Sequence, residues 1–415
     1  MKKHLVYNPI SLKKILILII FSFSFIYSNL SGQSKNTGEV YGIVTDSLTG
    51  KPIEYATVFL ANTSLGVLTN KNGAYVIKNI PPGAYSLVAA LIGYSKVVKP
   101  VKVSNGTQKI DVALSGKAIV AKEITVIGEN PSEWQRQLRI FTKEFLGESS
   151  NADDCEILNP EIIDFEINKN TDELSAKAED AIVIVNHSLG YKIKIYLKEF
   201  VWSRSEGDGK YQIYPFFEEV NSSDEKEKNN WQVNRVKAYK GSFRHFLKSC
   251  AEGRVYEEGF RISKSYVSSH WIYTDRSDSL LNQKKTNLDT LLYSRIKKNN
   301  KDEYCLVYDS LMQVVYLHQG EELNYKNYRE RLNGNATFSL IRGFNLKREK
   351  YTTEIKPYQS SWVIFPNGEL FFNSTGICSD DSPYGKKLAG YWAWKRVADL
   401  LPYDYKYSLT DESGN

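Results

Sequence analysis

The chain has 415 residues, 42% of them hydrophobic and 25% charged, which excludes a disordered or fibrous protein and leaves room for two or three ordinary domains. Its formal charge is +6 at pH 7, but residues 1–32 carry four lysines and no acid, so the rest of the chain stands at +2. No dense Lys/Arg stripe remains to grip a phosphate backbone, and nucleic acid is excluded as the expected partner.

Lys2, Lys3, Lys13 and Lys14 precede a run from Ile15 to Ile26 that is apolar apart from two serines, and the small residues Ser28, Ser31 and Gly32 follow. A charged n-region, an h-region and a cleavage zone in that order predict a secretory signal peptide over residues 1–32, cut before Gln33. The alternative, an uncleaved membrane anchor, needs about 20 apolar residues, more than this run offers. No Cys lies near the cleavage zone, which argues against a lipid anchor there, and residues 33–38 are expected to be a disordered start.

From 39 to 115 the turn signals recur every several residues, with short alternating segments between them. That is the pattern of an antiparallel sandwich. "EVYGIVTD" places Val40 and Val44 on one face and is turned by "SLTGKP"; "ATVFLAN" alternates Val58 and Leu60 against Thr57 and Phe59. "GVLT" runs to Asn72-Gly73, which favours a tight hairpin, and "AYVIKNI" to Pro81-Pro82-Gly83, where Gly is expected to supply the left-handed residue of a type II turn. "AYSLVAAL", "KVVKPVKV" and "QKIDVAL" complete about seven strands, the last with Ile110, Val112 and Leu114 on one face.

These residues resemble a known family. "DSLTGKPIEYATV", the hairpin "TNKNGAY", "PPGAYSL" and the closing Gly93-Tyr94 are the landmarks of the carboxypeptidase regulatory-like domain, with Asn70 where the family often has Asp. An Asn keeps the turn chemistry and loses only a charge. The resemblance implies a prealbumin/Ig-like β-sandwich without peptidase activity, a module that in Gram-negative envelope proteins commonly extends the N-terminus of TonB-dependent receptors.

The stretch "AKEITVIGEN" looks like the energy-coupling box of such a receptor, through Glu123-Ile124-Thr125-Val126-Ile127. A receptor needs a plug and a barrel of roughly 22 tilted strands after its box, and the remaining chain, with its helices and polar loops, does not accommodate one. Residues 116–130 are therefore expected to form a connector strand.

After it the hydrophobic period lengthens to that of a helix. Asn130-Pro131-Ser132-Glu133 sets out an N-cap, a first-turn Pro and a capping-box Glu; Trp134, Leu138, Phe141 and Phe145 then share one face until Gly147. Beyond lies a β-rich C-terminal domain with a few helices, assigned to 131–415. "AIVIVNH", "YKIKIYLKEFVW" and "YQIYPFFEEV" read as a meander with turns at 186–190 and 206–209, and "SSWVIFPNGELFFNS" as a hairpin around Asn367-Gly368. Helical segments are expected at 242–250 and where Trp394, Val397, Ala398 and Leu401 share helical spacing; "NSSDEKEKNN" reads as a mobile loop. The pairing of the sandwich with "FLGESSNADDCEILNP", "NHSLGYKIKIYLKEF", "GSFRHFLKS" and "VADLLPYDY" resembles a group of exported two-domain proteins that carry no assigned activity.

Chemical signatures are sparse. His318-Gln319-Gly320-Glu321 has the His-x-x-Glu spacing of a metallocarboxypeptidase, but no His follows to complete the ligand set, and the preceding "MQVVYL" suggests a strand end opening into a loop. Asp153-Asp154 and Asp380-Asp381 are either paired carboxylates or turn and cap residues. Cys155, Cys250, Cys305 and Cys378 allow three disulfide pairings or buried thiols. Six of the seven Trp lie in the strand-rich part, either filling cores or stacking on sugars.

The sequence thus predicts a mostly β, two-part envelope protein, exported to the periplasm or the outer membrane, that binds a protein or ligand without catalysis, cofactor or metal. The alternatives are an accessory component of a TonB-dependent transport system, a carbohydrate-binding protein and a metallocarboxypeptidase-type hydrolase.

Overall fold

The alternation read in "EVYGIVTD" is realised directly: Val40 and Val44 are fully buried on β1 (Gly38–Asp46), facing the interior of a two-sheet sandwich. The computed structural model describes residues 37–117, 131–204, 208–268, 271–274, 296–300, 302–308, 311–334, 358–378 and 386–407. The signal peptide, the Glu123–Ile127 stretch and Asp380-Asp381 lie outside these residues.

One sheet of the sandwich orders β4 (Ala74–Ile80), β1, β9 (Val112–Gly116) and β6 (Tyr94–Ser95), with β8 (Gly106–Lys109) also on β1. The other orders β3 (Gly66–Leu68), β2 (Thr57–Leu60), β5 (Gly83–Ala90) and β7 (Val97–Val103). Val58, Leu60, Tyr75, Ile77, Leu87, Val112 and Leu114 close the core between them.

Three details depart from expectation. The segment "QKIDVAL" is split into β8 and β9, and both run parallel to β1. At the break the Asp111 carboxylate accepts the Ile43 N–H at 2.9 Å, replacing a backbone partner. Asn72-Gly73 closes a turn between the two sheets instead of a hairpin; Asn70 shapes it, its Oδ1 accepting from the N–H groups of Asn72 and Ala74. Gly83 is not left-handed and already belongs to β5, whereas Asn79 adopts the positive φ of 58°.

The second part opens with α1 (Pro131–Leu146), whose Phe141 and Phe145 are fully buried and which Gly147 ends at φ 98°. Its sheet orders β10 (Cys155–Ile157), β13 (Ile182–Asn186), β14 (Tyr191–Ser203), β12 (Glu173–Ala178) and β11 (Ile163–Asn168). β14 carries β13 and β12 end to end on one edge and β15 (Asp208–Glu219) along the other, so the sheet is the meander read from the sequence with three strands, β10, β11 and β12, added. Ile182, Ile184, Ile193, Ile195 and Phe217 pack there with the α1 phenylalanines.

"NSSDEKEKNN" is a loop only in its first half. Asp224 caps α3 (Glu225–Tyr239), accepting the Lys226 N–H at 2.8 Å, because Trp231, Arg235 and Tyr239 recur at four-residue spacing and bury one stripe. Helix α4 (Phe243–Glu252), capped by Ser242, inserts Phe246, Leu247 and Cys250 into a second core. Around it lie a sheet of β17 (Trp271–Thr274), β16 (Phe260–Ser268), β20 (Leu311–Gly320), β21 (Tyr358–Ile364) and β23 (Lys387–Gly390), and another of β18 (Ile296–Asn300), β19 (Glu303–Val307) and β22 (Glu369–Phe372).

Asn367-Gly368 therefore joins two sheets, and β21 and β22 do not pair. Gly368 turns at φ 72° and its carbonyl accepts the Tyr308 N–H, which steers the chain onto β19. Helix α5 (Leu323–Gly334) follows β20; near the end the expected helix is two short pieces, α6 (Tyr391–Trp394) and a 3₁₀ turn (Val397–Asp399), separated by extended backbone at Lys395 and Arg396. All four cysteines stand as thiols, and burial pushes that of Cys155 up to about 12. Among the described residues no helix is long and apolar enough to cross a membrane.

The sandwich is seated on the second part by its β2–β5 sheet. Phe59 lies 5.5 Å from the Tyr196 ring and 5.0 Å from that of Phe216, with Ala61 and Val88 beside them. Lys102 reaches Glu303 at 3.6 Å, and Lys117 reaches Glu179 and Asp180.

Candidate functional site

Between α1 and α5 the second part opens a cleft of about 510 Å³, a size that admits a small molecule. Leu138 and Ala152 supply its apolar surface; Arg139, Lys143, Glu148, Asp153 and Asn324 are among its polar walls. Much of that polarity is matched internally, since Lys143 pairs with Glu148 at 3.3 Å and Asn324 donates to Asp153 at 3.1 Å.

Next to the cleft is a buried ion network that the sequence did not announce. Glu322, just past the end of β20, accepts at Oε2 from the Ser150 N–H (3.1 Å) and hydroxyl (2.9 Å), and at Oε1 from the Tyr391 hydroxyl and Lys395. Lys395 also donates to Asp399 Oδ1 at 3.0 Å and lies over the Tyr391 and Trp394 rings. Asn151 donates to the same Asp399 oxygen at 2.8 Å and accepts from the Ser188 hydroxyl at 2.7 Å.

Burial disfavours the Glu322 charge, yet the Lys395 ammonium and the Ser150 donors win and hold its carboxyl at about 2. Burial likewise opposes the charge on Lys395, but Asp399 and Glu322 raise its pKa overall. Four chain segments are thereby clamped together by side chains that are 21% (Lys395), 11% (Glu322) and 4% (Asp399) exposed. Such an arrangement, with each charge matched by an opposite charge or a donor, holds a fold in place.

The residues singled out by the sequence are dispersed. His318 stacks its ring on Gly259 and lies 5.6 Å from the Tyr316 ring, while Glu321 follows at the strand end. Among the described residues no group of three His, Cys, Asp or Glu could hold a metal ion. Asp153 forms the cleft wall, and Asp154 caps α2 (Ser150–Asp153). Trp231, Trp362, Trp392 and Trp394 are buried; Trp231 donates to the His187 carbonyl and Trp392 to that of Gly241, so these rings fill cores instead of meeting sugars.

His245, on the buried face of α4, accepts the Gly241 N–H at Nδ1 (3.1 Å) and faces Glu258 from Nε2 (3.3 Å). Burial outweighs the Glu258 carboxylate and brings its pKa from 6.5 down to about 4. Below pH 6.5 the unfolded chain takes a proton that the folded His245 refuses, so stability is full above 6.5 and falls as the pH drops toward 4. Thermal midpoints measured across this window should fall less steeply for His245→Gln than for the parent; equal slopes would refute the assignment.

A different surface is open on the sandwich. Tyr41, Ile43 and Val76 are 38%, 39% and 41% exposed, and Tyr41 is directly paired with Val76 across β1 and β4. They lie on the sheet that does not carry the Phe59–Phe216 contact.

Residues 40–126 match the family model of the CarboxypepD_reg-like domain. A comparison with curated proteins returned no match. Among solved structures, the group B streptococcus pilus 2b backbone protein is similar over 20% of this chain and 43% of its own, at 16% identity and a TM-score of 0.18. Catechol 1,2-dioxygenase from Acinetobacter sp. ADP1 is similar over 21% and 54%, at 12% identity and a TM-score of 0.18. This chain thus spans about half or less of those two proteins, a likeness too partial to carry an activity across.

Proposed function

From a CarboxypepD_reg-like domain seated on a β-rich second part, we propose that this chain is an exported, non-catalytic envelope protein that works by binding a protein partner. The observation that carries this reading is the orientation of the sandwich. Its β2–β5 sheet is covered by Phe216 and Tyr196, and its β1–β4 sheet turns Tyr41, Ile43 and Val76 outward. Neighbouring apolar side chains on an ordered sheet offer a partner area that needs little ordering on association. The charged groups beside the cleft are committed to one another, which favours binding over turnover.

The run of basic and apolar residues before Gln33 supports export, and the resemblance of the sandwich to a module that commonly extends outer-membrane receptors supports a partner in the outer membrane, with the role of an accessory component of a TonB-dependent transport system included. A photo-crosslinking amino acid placed at Tyr41 tests the reading in intact envelopes. A discrete protein adduct is expected from position 41 and none from position 48, where Leu48 is 92% exposed on an isolated turn. An adduct with a transport receptor would support the accessory role; no adduct from position 41 would count against the proposal as a whole.

A further inference from the structure

We infer that residues 400–407 act as a latch that fixes the sandwich onto the second part. The loop 61–65, between β2 and β3, is held from both sides. On one side it extends the edge of β15: the Asn62 N–H donates to the Pro215 carbonyl at 2.7 Å, and the Phe217 N–H to that of Thr63 at 3.0 Å. On the other side the Tyr403 N–H donates to the Asn62 carbonyl at 2.6 Å. Asp404 then grips Ser64 twice, accepting its N–H at Oδ1 (2.9 Å) and its hydroxyl at Oδ2. Tyr403 also packs against the sandwich core.

The segment that makes these contacts is itself anchored in the second part. Arg244, on α4 and half-buried, donates to the carbonyls of Pro402 (2.9 Å), Tyr403 (2.6 Å) and Tyr405 (3.2 Å), and to that of Thr375 (3.3 Å). One guanidinium therefore fixes three carbonyls of the segment that clips the sandwich loop. With the latch closed, Phe59 and Phe216 pack on each other between the two parts and the 61–65 loop occupies the β15 edge, which would otherwise be an open template for strand pairing. Released, it would free the sandwich to swing while the second part kept its own two cores.

The test keeps the full chain. A protease site inserted between Lys117 and Pro131 is cut after folding, and the two fragments are followed by gel filtration at micromolar concentration. They are expected to co-elute in the parent, and Asp404→Ala, which removes two hydrogen bonds to Ser64, should raise the concentration for half-dissociation about tenfold. Separation of the parent fragments, or an unchanged half-dissociation for Asp404→Ala, would overturn the inference. Should Asp404→Ala fail to fold by circular dichroism, Ser64→Ala loses one of the two bonds and is read in the same assay, with the same outcomes deciding.

Discussion

Lys395→Ala is expected to destabilise the protein by about 3 kcal/mol, the lower end of what breaking a buried ion pair costs, because the lysine side chain keeps 21% exposure. The substitution leaves Glu322 and Asp399 facing one another's charge without the ammonium between them. The Ser150 and Asn151 donors are then left as neutral partners to two carboxylates that have lost their cation. Chemical denaturation with far-UV circular dichroism reads the loss. The triple variant Lys395→Met, Glu322→Gln, Asp399→Asn should recover much of it, since replacing a whole buried network is far cheaper than removing one member. A loss below about 1 kcal/mol for Lys395→Ala would make the network ornamental to stability.

The same site sets an acid limit. The Glu322 carboxyl is held at about 2 in the folded chain against 4.5 as a free side chain, so its contribution is complete above 4.5 and is lost as the pH falls toward 2. His245 acts earlier in an acid titration, from 6.5 downward, so the two groups can be separated by where each slope begins.

Legibility in the sequence followed the range of the interactions. The sandwich turns could be read because their chemistry is local: Asp46 Oδ1 accepts from Leu48 and Thr49 within its own turn, and Asn70 does the same within its turn. Helix α1 could be read because its apolar stripe and its Gly147 stop are local too. Strand partners are not local, which is why Asn367-Gly368 resembled a hairpin although β21 and β22 pair with β20 and β19 instead. Helix α3 was obscured because its buried stripe contains Arg235, which hydrogen bonds and the Tyr191 ring make acceptable inside. The network of Glu322, Lys395 and Asp399 draws on Ser150 and Asn151 from far along the chain, and its only sequence trace is the four-residue spacing of Lys395 and Asp399.

Gly190→Ala should cost several kcal/mol, and the reason lies in helix α3, not in the turn itself. In "NHSLGY" the glycine closes the β13–β14 turn at φ 67°, a conformation that costs an L-residue roughly 1–2 kcal/mol. A Cβ there would also stand 2.3 Å from Trp231 Cδ2, and Trp231 cannot retreat easily: it is buried, and its Nε1 donates to the His187 carbonyl at 2.8 Å. Overpacking of that kind adds about 1–3 kcal/mol. Gly50 supplies the control, since it has nearly the same φ of 68° with nothing within 4 Å of an added Cβ. Gly50→Ala should therefore show the backbone cost alone, and the difference between the two denaturation midpoints measures the Trp231 contact. Equal losses would mean that α3 yields to the new methyl. The turn would then be held by its own hydrogen bonds, among them Asn186 accepting the Leu189 and Gly190 N–H groups, and not by the helix behind it.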